Sequence, residues 1–121
     1  MNDRFKFRVP VFDEGKFLCF HFFNAIDGAD HYREIGPYAH GKEEQCTGLK
    51  DKNKRLIYEG DIVRSPLDEH DGEFGKITWD DIDACWGINY SDFRIDFGYV
   101  WADKFEVIGN IHENPELLEA Q

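Results

Sequence analysis

Between Gln45 and Val63 the chain reads Q-C-T-G-L-K-D-K-N-K-R-L-I-Y-E-G-D-I-V, an order that dictates strand, turn, strand, kink, strand. Lys50-Asp51-Lys52-Asn53-Lys54-Arg55 is polar, and its Asn and Asp stand where a chain reverses, because short amide and carboxylate side chains bond their own backbone and tolerate left-handed geometry. Leu56-Ile57-Tyr58 resumes apolar, strand-compatible sequence. Gly60 permits a positive φ or a close backbone approach, and Ile62-Val63 opens a β-branched strand.

The first segment carries the other clear pattern. Phe5, Phe7 and Val9 alternate with Arg4, Lys6 and Arg8, which predicts a half-buried strand with apolar side chains on one face and cations on the other. In an acidic chain these cations are expected on a solvated face, paired with the chain's own carboxylates, rather than as a basic ridge for phosphate. Pro10 is expected to interrupt this strand or to mark it as an edge, since it cannot donate to a ladder. Asp13-Glu14-Gly15-Lys16 reads as a hairpin turn, and Phe17 to Phe23, F-L-C-F-H-F-F, as a second strand apolar on both faces. One face must meet a core and the other a second layer or a partner chain, so Phe17, Phe20, Phe22 and Phe23 are candidates for self-association into a homo-oligomer. From Ala29 to Glu44 the pattern weakens, and Gly36-Pro37 forbids a long helix, leaving a variable loop or an irregular strand.

The second half predicts an antiparallel meander. Asp68 to Glu73 is an acidic turn, Phe74 to Trp79 a strand, Asp80 to Asp83 a turn, Cys85 to Tyr90 a strand, and Phe93 to Val100 a further strand with Gly98 as a bulge. Val107 to Ile111 fits a last strand. Asn114-Pro115-Glu116-Leu117-Leu118 fits a terminal helical turn capped by Asn114, with Pro115 at its first position and the two leucines docked on the body.

At 121 residues the chain has the length of one domain, and its 16% aromatic content argues against disorder. No run approaches the roughly 18 to 20 apolar residues of a membrane helix. Arg4, Lys6 and Arg8 break what a signal peptide would need to be continuous. Cys19, Cys46 and Cys85 are odd in number and lack C-x-x-C spacing, which points to free, buried thiols in a reducing cytoplasm.

Gln45 to Val63, taken with Val107 to Leu118, V-I-G-N-I-H-E-N-P-E-L-L, resembles the signature of the YopX family, small proteins encoded largely by phages and prophages. The string from Tyr58 to Arg64 also resembles the opening strand of SH3-like barrels. The resemblance implies a mainly β fold over a single domain, residues 1–121. Within it a β segment over residues 1–44 would feed an SH3-like β-barrel over residues 45–121, with the short helical turn at the end. Family members commonly read closer to Lys-Asp-Lys-Asn-Gly in the polar turn, whereas Lys54 stands where that Gly is expected, which argues against a type I′ Asn-Gly turn.

Chemistry is harder to place. Cys19 and His21 share a strand face, and His31 and His40 follow at longer range, but zinc sites pair their ligands in both halves of the site, so no metal and no cofactor is expected. There is no G-x-S-x-G, H-E-x-x-H or phosphate loop, and Asp80, Asp81 and Asp83 suit a turn better than a magnesium site, so no enzyme activity is expected. Lys50, Lys52, Lys54 and Arg55 crowd one turn and are the candidate nucleic-acid contacts. Against them, 25 acidic residues to 14 basic ones, a net charge of -11, repel a polyanion at long range, so any such contact must be local. The same acidity allows mimicry of DNA towards a basic host protein. The expectation is therefore a phage- or prophage-encoded, non-enzymatic interaction module in the host cytoplasm, with no membrane partner. It would bind a host or phage macromolecule, with nucleic-acid association through the basic turn, or DNA mimicry, as alternatives.

Overall fold

The computed structural model describes residues 5–64, 74–91, 93–96 and 102–119. The mainly β expectation holds: the described chain forms two curled antiparallel sheets, a half-barrel, with only short helices. The first sheet holds β1 (Lys6–Asp13), β2 (Lys16–Asn24), β3 (Ala39–His40), β4 (Glu44–Lys50) and β5 (Leu56–Tyr58), in the order β2-β1-β4-β5 with β3 also on β1. The second holds β6 (Asp61–Arg64), β7 (Phe74–Asp80), β8 (Cys85–Asn89), β9 (Arg94–Asp96) and β10 (Glu106–Asn110), in the order β10-β6-β7-β8-β9.

Gly60 is the joint between the sheets. Its φ of +86° is a left-handed conformation that glycine adopts without steric cost, its N–H donates to Ile77 C=O at 2.9 Å, and its own C=O accepts from Ile111 N–H at 3.0 Å. A Cβ there would meet the Glu44 carboxylate at 3.3 Å. The kink expected at Glu59-Gly60-Asp61 thus turns the chain out of β5 and into β6.

Two apolar clusters lie on the two sheets. Val9 and Val11 of β1 cluster with Ile35 of a 3₁₀ helix, Ala29–Ile35, with Phe23 of β2 and Tyr32 of that helix packed against them. Ile57 of β5 joins Val63, Ile77, Ile88, Phe105 and Val107 in the larger cluster, which lies on the second sheet. The segment expected as loop or irregular strand therefore contains that 3₁₀ helix and the two residues of β3. Asp80 Oδ1 accepts the N–H groups of Ile82 and Asp83, so the Asp-rich stretch is a turn between β7 and β8. At the C-terminus α1, Glu116–Glu119, follows Pro115, and Leu118 reaches the Phe74 and Tyr90 side of the second sheet. Asn114 stands at the start of α1, where its C=O accepts the Leu117 N–H at 3.1 Å, while its Oδ1 accepts the Asn110 N–H at 3.3 Å. The acidic turn expected over residues 68–73, and residues 97–100 of the expected strand with Gly98, lie outside the described residues except that β9 covers Arg94–Asp96.

Three expectations need correction. Arg8 is not on a solvated face: it is only 2% exposed, because β5 and the turn after β10 cover the face of β1 that carries it. Pro10 neither interrupts β1 nor lies at an edge. The outer ladder of β1 pairs Phe7 and Arg8 with β4 and Val11 and Phe12 with β3, so Pro10 falls in the gap between the two, and its C=O still accepts from Gly41 N–H at 2.9 Å. Cys19 is exposed and not a buried thiol, while Cys46 is buried and Cys85 intermediate. No helix among the described residues is long and apolar enough to cross a membrane.

Candidate basic-aromatic groove

The face of β1 and β2 opposite the 3₁₀ helix presents Lys6 and Arg8 from β1 and Phe20 and Phe22 from β2, an alternation that follows from the two-residue period of the strand. Arg8 lies opposite Phe22 in the β1–β2 register, and Lys6 opposite Asn24. β4 pairs with β1 only at Phe7↔Gln45 and Arg8↔Glu44, then bends through an irregularity between Cys46 and Lys50. Gly48 supplies the bend with a φ of +84°. Beyond it β4 and β5 diverge from β1, and a trough opens between them.

Arg8 and its partners form the buried end of the trough. Its Nε donates to Glu44 Oε1 at 2.8 Å, one terminal nitrogen, Nη2, lies 2.9 Å from Asp61 Oδ1, and the same nitrogen donates to Glu59 C=O at 3.2 Å. The guanidinium carbon stands 3.9 Å from the Phe20 ring centroid and 4.8 Å from that of Tyr58, an arrangement in which the ring faces attract the cation. His112 Nε2 lies 2.5 Å from the other Glu44 oxygen. Burial pushes the Asp61 carboxyl up, partly offset by Arg8 and by the Tyr58 N–H that donates to it. Burial likewise raises Glu59, against a hydrogen bond from the Gln45 backbone that lowers it.

Above this base the trough is cationic. A hollow of about 470 Å³ is lined by Lys6, Arg8, Lys50, Lys54 and Arg55 together with Phe22, Leu56 and Tyr58. Phe22, 58% exposed, stands edge-to-face on Tyr58 at 5.7 Å. An adjoining hollow of about 340 Å³ shares Lys6, Phe22, Leu56 and Tyr58, and reaches Asn24 and Asp27. The two share these four residues and lie side by side, the two ends of the trough.

The turn that carries the cations is rigidly built. Lys54 N–H closes it on Asp51 C=O at 2.9 Å, and Lys54 itself takes a φ of +65°, the arrangement of a three-residue hairpin loop with a left-handed last position. Lys54 thus adopts the conformation for which Gly was expected. Asp51, 2% exposed, organises the rest: Oδ1 accepts from Asn53 N–H and Arg55 N–H, each at 2.9 Å, and Oδ2 accepts from Val107 N–H at 2.9 Å.

Of the four cations singled out in the turn, Lys50, Lys54 and Arg55 therefore meet in the trough. Lys52 does not. Its Nζ lies 3.8 Å from Glu106, which also pairs with Arg64 and holds Asn53, and the Arg64 hydrogen bond, with the Lys52 charge, keeps the Glu106 carboxyl below its ordinary range. Lys6, forty-odd residues away in sequence, was not among the candidate contacts; its two-residue spacing from Arg8 was the available signal. Among the four candidate association residues, Phe17 stacks on His112 at 5.8 Å, Phe20 lies under Arg8, and Phe23 stacks on Phe7 and His31. Phe22 alone of the four stays outward, as part of the trough. Cys19 and His21 do not converge with further ligands: among the described residues no group of three or more His, Cys, Asp or Glu is placed to hold a metal ion.

The family model described as YopX protein matches residues 21–119. The chain is also similar to protein EF1440 from Enterococcus faecalis, whose crystal structure covers 93% of this chain and 96% of its own, at 24% identity and a TM-score of 0.47. No curated protein matches it.

Proposed function

We propose that this chain, which belongs to the YopX family, is a non-enzymatic binding module whose contact surface is the basic-aromatic trough and whose ligand is an anionic macromolecule. One observation carries the reading. In a chain of net charge -11, Lys6, Lys50, Lys54 and Arg55 are drawn from separate segments to line one hollow. Among the described residues no carboxylate stands within ion-pair distance of Lys50, Lys54 or Arg55, in contrast to Lys52 and Arg64, which both pair with Glu106. Long-range repulsion keeps such a protein off polyanions in general, so binding is local and depends on fit to the trough.

Binding isotherms for three polyanions of different backbone, oligo-dT, heparin and poly-L-glutamate, test this on the wild type and on Lys50→Glu/Lys54→Glu/Arg55→Glu. The three positions are exposed, so the variant keeps its fold. At least one polyanion binds the wild type, and charge reversal abolishes that binding. If none binds, or if binding is indifferent to the reversal, the trough is not the contact surface.

A further inference from the structure

We infer that the ligand of the trough is single-stranded nucleic acid, with phosphates held by Lys50, Lys54 and Arg55, one base against Phe22, and the base edge directed to Asn24 and Asp27. This rests on the trough being the contact surface, and adds which polyanion fits it.

The trough changes character along its length. Its first hollow is ringed by cations; its second has Lys6 at the shared boundary and then Asn24 and Asp27. A polyacidic peptide or a sulfated sugar carries negative charge at every unit and would place some of it beside Asp27. A nucleic-acid strand also carries one charge per unit, but on its phosphate; its base is a neutral arm with donors and acceptors on its edge, free to lie beside Asp27 while the phosphate stays among the cations. The Asn24 amide offers both a donor and an acceptor, and the Asp27 carboxylate, one oxygen of which accepts the Asn24 N–H at 2.7 Å, has its other oxygen to accept from a base N–H such as thymine N3–H or an exocyclic amino group.

Between the two ends stands an aromatic ring with more than half its surface open, 58% for Phe22. Phe22 leans edge-on against Tyr58, and Phe20 lies 6.1 Å from it at an angle. A ring so braced, flanked by cations, is what sequence-tolerant single-strand binding uses: a platform for an unstacked base beside a charged track for the backbone. Duplex nucleic acid cannot present a base face to Phe22 without unstacking, and its denser charge meets the repulsion of an acidic protein more strongly.

Fluorescence anisotropy with labelled oligo-dT, a duplex of the same length, and labelled poly-L-glutamate distinguishes the possibilities, at several salt concentrations. Oligo-dT is expected to bind at least about 10-fold more tightly than either of the others. Phe22→Ala is expected to weaken oligo-dT binding about 5- to 100-fold, the loss of one base stack. Phe22→Leu keeps apolar bulk without a ring face and is expected to weaken it nearly as much. Lys50→Ala/Lys54→Ala/Arg55→Ala is expected to lower the slope of log affinity against log salt by about 2, from three phosphates on a single strand. Circular dichroism confirms that each variant is folded. Equal or tighter binding of the duplex or of poly-L-glutamate, or an oligo-dT affinity that Phe22→Ala leaves unchanged, overturns the single-strand assignment while leaving the trough as a polyanion site. Failure of all three probes to bind overturns the single-strand assignment, and failure of heparin as well removes the trough as a polyanion site.

Discussion

Arg8 and Glu44 face each other across the β1–β4 ladder, with Arg8 Nε donating to Glu44 Oε1 at 2.8 Å and side chains only 3% and 9% exposed. Arg8 also neutralises Asp61, so one guanidinium serves two buried carboxylates. Replacing it leaves both without their cation, and breaking one side of a buried pair is costly because the remaining charge has nowhere to go. Arg8→Met is expected to lose about 3–5 kcal/mol of stability, read from urea unfolding. A loss below about 1 kcal/mol would mean that Arg8 is only a spectator of surface-like strength.

Asp61 gives this network a pH signature. Its carboxyl is raised in the fold, by burial first. A carboxyl raised on folding holds its proton to higher pH when folded than when unfolded. Its contribution to stability is therefore largest below the unfolded value and declines as pH rises through the folded one. Asn imitates the protonated acid, so Asp61→Asn is expected to gain stability relative to the wild type as pH rises from about 4, the unfolded carboxyl value, towards neutral. Unfolding midpoints of both proteins across that range check it, and a difference that stays constant or moves towards the wild type contradicts it. Glu106, lowered by Arg64, acts in the opposite sense: its contribution is present above the unfolded value and lost as pH falls through the folded one.

Lys54 sets stability against binding. A φ of +65° disfavours any residue with a Cβ, and glycine accepts it at some cost in unfolded-state entropy. Lys54→Gly is expected to stabilise the fold by about 0.5–1 kcal/mol while weakening anion binding, because the trough loses a cation. Lys54→Ala should weaken binding to the same degree with no gain in stability. Thermal melts and isotherms on the same preparations separate the two effects; a Gly variant that binds as well as the wild type would remove Lys54 from the contact surface.

Asp51 holds the cationic turn in place through three backbone N–H groups, one of them on β10. Asp51→Ala leaves these donors without partners and is expected to cost at least about 2 kcal/mol. Amide hydrogen exchange should rise at Asn53, Arg55 and Val107 together. Protection unchanged at Val107 would show that the turn is not tied to β10 through Asp51.

What could be read from the amino-acid order was what local chemistry controls. The polar turn at 51–55 was legible because Asn and Asp favour reversals, and the joint at Gly60 because glycine accepts a positive φ. The alternation in β1 showed that Lys6 and Arg8 share a face. It could not show what covers that face, since Arg8 is buried by Glu44, 36 residues away, and by Glu59 backbone, 51 residues away. The same limit applies to Phe17 to Phe23. Two apolar faces demanded two layers, and the chain supplies part of each, through the 3₁₀ helix on one side and Tyr58 and His112 on the other, while Leu18 and Phe22 stay about half exposed. Within the turn, sequence alone treated Lys50, Lys52, Lys54 and Arg55 alike. Only the pairing of Lys52 with Glu106 on the far side separates it from the three that line the trough.

The most direct measurement is amide chemical-shift mapping of the folded protein during titration with oligo-dT. Perturbations are expected at Lys6, Phe22, Asn24, Lys50, Lys54, Arg55 and Tyr58, with Lys52 shifting less than its neighbours and the exposed Trp79 and Ile82 region unmoved. Shifts centred on Trp79 and Ile82, or spread evenly over the surface, would contradict the assignment of the trough as the ligand site.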